Sequence, residues 1–77
     1  MAEPGDHFAS DLEICFEVLL YLSSRMAKLP SGETFEFVSG DPDAVVKVTD
    51  WCEARDYPLL RTEILPDGRA RFVIQKS

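Results

Sequence analysis

Two cysteines are the residues of this chain best suited to covalent chemistry. Cys15 lies in Ile14-Cys15-Phe16-Glu17-Val18, at the head of the longest apolar run, and Cys52 follows Trp51 in a later amphipathic stretch. A thiolate is a nucleophile and can carry a group through a covalent intermediate. Such work needs an accessible sulfur and a neighbour that favours its negative form. A helix N-terminus offers both, through unpaired N–H groups and the helix dipole. Other chemistries lack a nucleus. His7 is the single histidine, and no Cys-x-x-Cys or His-x-x-x-His spacing exists to hold a metal. No glycine-rich phosphate loop and no Ser/His/Asp constellation is visible. Two cysteines on different predicted helices do not make a disulfide framework.

Whether Cys15 can react depends on where its helix starts. Leu12, Cys15, Phe16, Leu19, Leu22, Met26 and Leu29 recur at intervals of three and four, which predicts a helix over about 11–28, ended by Pro30-Ser31-Gly32. Ser10-Asp11-Leu12-Glu13 reads as a capping box in front of it. That start carries Cys15 into the second turn, on the apolar face with Leu12, Leu19 and Leu22. Asp11, Glu13 and Glu17 then add like charge that opposes a thiolate. A first turn beginning at Cys15 instead leaves the thiol exposed at the dipole. Free cysteine is among the most often buried residue types, so a packing role and a reactive role both stand here. Cys52 falls on a buried stripe near the carbonyl end of the second helix, which favours packing.

The elements that must position these residues follow from periodicity. Residues 34–39 are rich in β-formers, with Phe35 and Phe37 pointing the same way. Gly40-Asp41-Pro42-Asp43 is a helix start, with Asp41 as cap and Pro42 at the first helical position. Val45, Val48 and Cys52, with Ala44 and Trp51 alongside, form its buried stripe to about Arg55, and Asp56-Tyr57-Pro58 breaks it. Residues 59–65 and 70–75 read as strands joined by a type I turn at Pro66-Asp67-Gly68-Arg69. A short strand around residues 7–9 completes the order. The expected fold is a two-layer α/β sandwich with Leu19, Leu22, Met26, Phe35, Phe37, Val45, Val48, Ile64, Phe72 and Ile74 in its core.

The 77 residues make a single domain, with residues 1–6 expected to be disordered. No run approaches the roughly 20 apolar residues that span a bilayer, and the start carries no secretory signal, so a cytoplasmic protein with reduced thiols is expected. Fourteen acidic residues against eight basic ones give a net charge of −6. That field repels phosphate backbones and argues against direct nucleic-acid binding; a protein partner with a basic docking surface fits it better.

Several short motifs recur in a familiar order: Leu29-Pro30-Ser31-Gly32-Glu33 before the strand Thr34-Phe35-Glu36-Phe37-Val38, then Asp41-Pro42, Trp51-Cys52-Glu53, and the closing Phe72-Val73-Ile74-Gln75-Lys76. Over about residues 7–76 this order resembles the TusA-like (SirA-like) family of small sulfur-carrier proteins. The resemblance implies a β-α-β-α-β-β order, with two helices on one face of a four-stranded mixed sheet. It also implies that Cys15 carries sulfur as a persulfide, needs no bound cofactor, and relays it from a donor protein such as a cysteine desulfurase or rhodanese to an acceptor protein. The family's Cys-Pro-x-Pro motif here reads Cys15-Phe16-Glu17-Val18. Leu12 stands where the family has glycine before the cysteine, and Asp56 at the glycine after the second helix. Loss of both prolines leaves a second reading open, a non-catalytic binding or regulatory module on the same sandwich. The expected assembly is a monomer or a weak dimer, the latter built on Phe16, Leu20 and Tyr21.

Overall fold

The computed structural model describes residues 5–77. The elements are β1 (Asp6–Ser10), α1 (Phe16–Ala27), β2 (Thr34–Ser39), α2 (Ala44–Arg55), β3 (Leu59–Ile64) and β4 (Ala70–Gln75). The four strands form one mixed sheet in the order β1-β2-β4-β3. β1 runs parallel to β2, and β4 runs antiparallel to both β2 and β3. This is the β-α-β-α-β-β sandwich expected. Residues 1–4 of the expected disordered start lie outside the described residues. Asp6 does not fit that expectation: it opens β1, and Gly5 N–H donates to Thr34 O at 2.8 Å.

The sheet buries one face. Phe35, Phe37 and Ser39 of β2 pair in register with Ile74, Phe72 and Ala70 of β4, and all six are buried. Their neighbours Glu36, Val38, Arg71 and Val73 are half-buried on the other face. A side-chain period of two makes that division, and both helices lie on the phenylalanine side. From α1, Leu22 and Met26 are buried, with Val18 and Leu19 packed against the core. From α2 the inward residues are Ala44, Val48, Trp51 and Cys52.

Two expected core residues are exposed. Val45 is 41% exposed because Ala44 takes the inward position of the stripe that continues at 48, 51 and 52, which turns Val45 aside. Ile64 is 66% exposed, at the end of edge strand β3 opposite Ala70. A register shift between Leu59 and Arg61 places Leu59, not Leu60, against the core.

The connections follow their local chemistry. Asp56 caps α2 in the left-handed region at φ 58°, a conformation aspartate tolerates better than most residues. Gly68 sits at φ 91° in the β3–β4 turn, where Gly68 N–H donates to Leu65 O and Asp67 accepts the Arg69 N–H. β1 is tied to α1 by the Arg25 guanidinium, which pairs with both Asp6 oxygens and holds that carboxyl below its ordinary pKa. Lys76 Nζ donates to Met26 O at 3.0 Å, placing a cation on the carbonyl end of α1.

Candidate functional site

The carboxyl ends of the two parallel strands lie side by side, with Ser10 opposite Ser39. The chain leaving β1 leads to Cys15, and the chain leaving β2 leads to Asp41. Ligands of open α/β sheets gather at this edge because loops and helix N-termini converge there. The two loops meet closely: Gly40 N–H donates to Ser10 O at 2.9 Å. A Cβ on Gly40 would lie 3.0 Å from Asp11 Oδ1 and 3.2 Å from Asp11 Cα, so a side chain there would force the loops apart.

The helix start differs from the one expected. α1 begins at Phe16, not near residue 11, and Cys15 is its N-cap residue, extended at φ −117° and ψ 179°. The Ser10-x-x-Glu13 box does not form. Ser10 belongs to β1, and its Oγ accepts the Leu12 N–H at 3.1 Å, while its carbonyl is taken by Gly40. Cys15 is therefore exposed instead of buried on the apolar face, and Leu12 and Phe16 on either side of it are exposed too.

What holds the segment extended is Ile14. Its side chain is 4% exposed in the core, and its N–H donates to Asp41 Oδ2 at 2.6 Å. Full burial of an isoleucine is worth about 1.5–3 kcal/mol, against about 1 kcal/mol for a side-chain helix cap. Winding residues 12–15 into helix would draw Ile14 out of its pocket, so the later start wins.

Asp41 is not the helix cap expected of it, and Pro42 is not the first helical residue: α2 begins at Ala44 with Asp43 as its N-cap residue, because Asp41 turns both carboxylate oxygens to other partners. Pro42 and Asp43 form a turn ahead of α2, and Asp41 Oδ1 accepts the Asp43 N–H at 2.7 Å. Oδ2 takes Ile14 N–H and Lys47 Nζ, the latter at 2.8 Å. The Lys47 ammonium, then the Ile14 and Asp43 N–H groups, hold the Asp41 carboxyl down to about 2, so it is charged at any physiological pH. Lys47 also lies 3.7 Å from Glu13. Nothing in the sequence marks a bond across 27 positions; the only signal was an aspartate with a second oxygen to satisfy.

The start of α1 gives the Cys15 sulfur its surroundings. No side chain caps the helix, and Leu19 N–H returns to Cys15 O at 3.1 Å. The N–H groups of the first turn have no partner within a helix. Phe16 and Val18 keep theirs where proline would have none, and the Cys15 side chain makes no capping hydrogen bond to them. Against this, Glu17 puts a carboxylate in the first turn. Beside the turn, Phe8, Ser10, Leu12, Glu17, Val18 and Tyr21 line an open groove of about 300 Å³. Its floor joins the core: Phe8 packs on Tyr21 at 4.8 Å and stacks on Phe37 at 5.9 Å.

Cys52 is 2% exposed, and burial pushes its thiol up to about 11. At neutral pH it is a packed, protonated thiol. The unfolded chain releases that proton near 9.0, so the thiol's contribution to stability is complete below this value and is lost as pH rises toward about 11. Stability measured by urea unfolding is expected to fall over that window in the wild type and to fall less in Cys52→Ala. Equal slopes would remove the thiol as the cause. Among the described residues no group of three or more His, Cys, Asp or Glu could hold a metal ion, and no helix is long and apolar enough to cross a membrane.

Comparison with curated proteins returns no match. Comparison with protein families does: residues 13–76 match the family described as sulfurtransferase TusA. The match takes in Cys15 at the head of α1, Asp41 behind it and the whole closing hairpin. By that match the chain belongs to the sulfurtransferase TusA family.

Proposed function

We propose that this protein is a sulfur carrier and that Cys15 bears the sulfur. The observation that carries the reading is the position of Cys15, exposed as the N-cap residue of α1 with no side-chain hydrogen bond across it. The Cys15 thiolate attacks the outer sulfur of a donor persulfide, R–S–SH. The donor S–S bond breaks, a new S–S bond forms on Cys15, and the donor leaves as its thiol. Transfer to the acceptor repeats the exchange in the other direction, with Cys15 as the leaving thiolate. Sulfur and electrons balance at each step, and no cofactor is required. The partners are proteins: a persulfidic donor, such as a cysteine desulfurase or rhodanese, and an acceptor.

Phe16 favours a second reading. It is 75% exposed at a position that a persulfide mechanism does not require to be apolar. A binding module that kept the fold and lost the transfer would use such a side chain as an anchor.

Intact-mass analysis after incubation with a desulfurase and cysteine, or with another persulfidic donor, separates the two. One added sulfur atom is expected in wild type and in Cys52→Ser, and none in Cys15→Ser. Absence of added sulfur in wild type with several unrelated donors, while Cys15 still alkylates readily, would overturn the carrier reading in favour of the binding module.

A further inference from the structure

The segment between β1 and α1 contains two helix starts, and the protein uses only one. Ser10-Asp11-Leu12-Glu13 has the composition of a capping box, followed without interruption by residues that wind well. From that start, Cys15 would lie inside the second turn with its N–H committed to the helix. From the start observed, Cys15 stands outside, and residues 11–15 carry no helix. The contact that distinguishes the two is not local. Beside the burial of the Ile14 side chain, it is the bond from Ile14 N–H to Asp41 Oδ2, which a helix beginning at residue 11 could not keep.

We propose that Asp41 is a positioning residue for Cys15: by holding the Ile14 N–H from across the sheet edge, it selects the later helix start and keeps the sulfur-bearing side chain outside the helix. This rests on the reading of Cys15 as the sulfur-bearing residue. The geometry suits the task. Asp41 is itself nearly buried, and its backbone N–H donates to the buried Ser39 Oγ at 3.1 Å. Its second oxygen is fixed by Asp43 N–H, and Gly40 just before it allows the loop to pass directly over Asp11. A carboxylate has the two oxygens that this bridge needs, one for the entry to α2 and one for the entry to α1. The element that exposes the cysteine is thus built from the far loop, while the near loop on its own favours concealing it.

The test uses the full chain and two readouts that do not involve sulfur transfer: backbone chemical shifts of Leu12, Glu13, Ile14 and Cys15, and the rate of Cys15 alkylation by iodoacetamide in a Cys52→Ala background. Asp41→Ser retains a hydroxyl to cap Asp43 but is too short to reach Ile14, so the sheet and α2 should persist. Its shifts at Leu12–Cys15 are expected to become helical, and alkylation to slow about tenfold, as when about nine molecules in ten adopt the earlier start. Adding Ser10→Ala, which removes the competing cap, is expected to return both readouts toward wild type. Repair by a second substitution is something general loosening would not produce. Lys47→Met, which removes the ammonium's pairs with Asp41 and Glu13 but not the Ile14 bond, is expected to leave the helix start in place. The proposal is overturned if Asp41→Ser, still folded, keeps extended shifts and wild-type alkylation, or if Lys47→Met moves both readouts as far as Asp41→Ser does. A helix start that responds as described in a protein that never gains sulfur would sink the carrier reading alone.

Discussion

Phe37→Ala lowers the unfolding free energy by about 3–5 kcal/mol, the range for removing a fully buried phenylalanine and leaving its cavity. Phe37 has no exposed surface. It lies on β2, which is paired on both sides, between the rings of Phe8 at 5.9 Å and Phe72 at 6.2 Å. Those rings are held by strands whose spacing is set by backbone hydrogen bonds, so the cavity cannot close by collapse. Domains of this size are stable by only about 5–15 kcal/mol, and the loss is a large share of that. Urea unfolding would show a lower midpoint with an unchanged slope. A loss below about 1 kcal/mol would mean that the aromatic stack is not the centre of the core. Phe16→Ala, by contrast, removes a mostly exposed ring and is expected to change stability by no more than about 0.5 kcal/mol.

Proline substitution along the first turns of α1 gives the second large effect, and it reads out the helix start directly. Phe16 is the first helical residue, and Cys15 before it is already extended, the conformation a residue preceding proline prefers. Phe16→Pro is therefore expected to fold with little loss, since the N–H it removes has no helical acceptor. The double substitution Phe16→Pro and Val18→Pro, which restores the family's motif, is expected to fold as well, less the packing of the Val18 side chain against the core. Leu20→Pro is different. Its N–H falls where the helical ladder has begun, and proline there costs about 3 kcal/mol or more. Thermal melts of the three variants decide the matter: comparable losses at 16 and 20 would place the true start of the helix before Cys15.

The strands were legible because the sheet buries one face. Phe35 and Phe37 against Glu36, and Phe72 and Ile74 against Arg71, alternate as a half-covered sheet requires, and they fall as expected. Asp56 in left-handed geometry and the Pro66-Asp67-Gly68 turn were equally readable, since each depends on its own residue types. The errors came where a local signal met a distant contact. Ile64 alternates properly but lies on an edge strand, at an end left uncovered, and alternation does not report position within a sheet. The capping box at Ser10 is a sound local pattern overruled by Ile14 burial and by Asp41. The position of Cys15 near the head of a helix was therefore visible in the sequence, and its exposure was not. That exposure goes with the burial of Ile14 and with its bond to Asp41, 26 positions beyond Cys15 on the neighbouring strand's loop.

The register shift in β3 bears on how these molecules behave in a crowd. An edge strand offers a row of unsatisfied backbone groups to any other strand, and β3 also leaves Leu60 and Ile64 exposed, a sticky combination. The irregularity between Leu59 and Arg61 kinks that row, and Arg61 and Glu63 place charges along it. A neighbour approaching to extend the sheet meets a bent template that it cannot match in register. The single extra residue in the ladder thus works against sheet extension, and a deletion that straightened β3 is expected to lengthen its pairing within the molecule while favouring association between molecules.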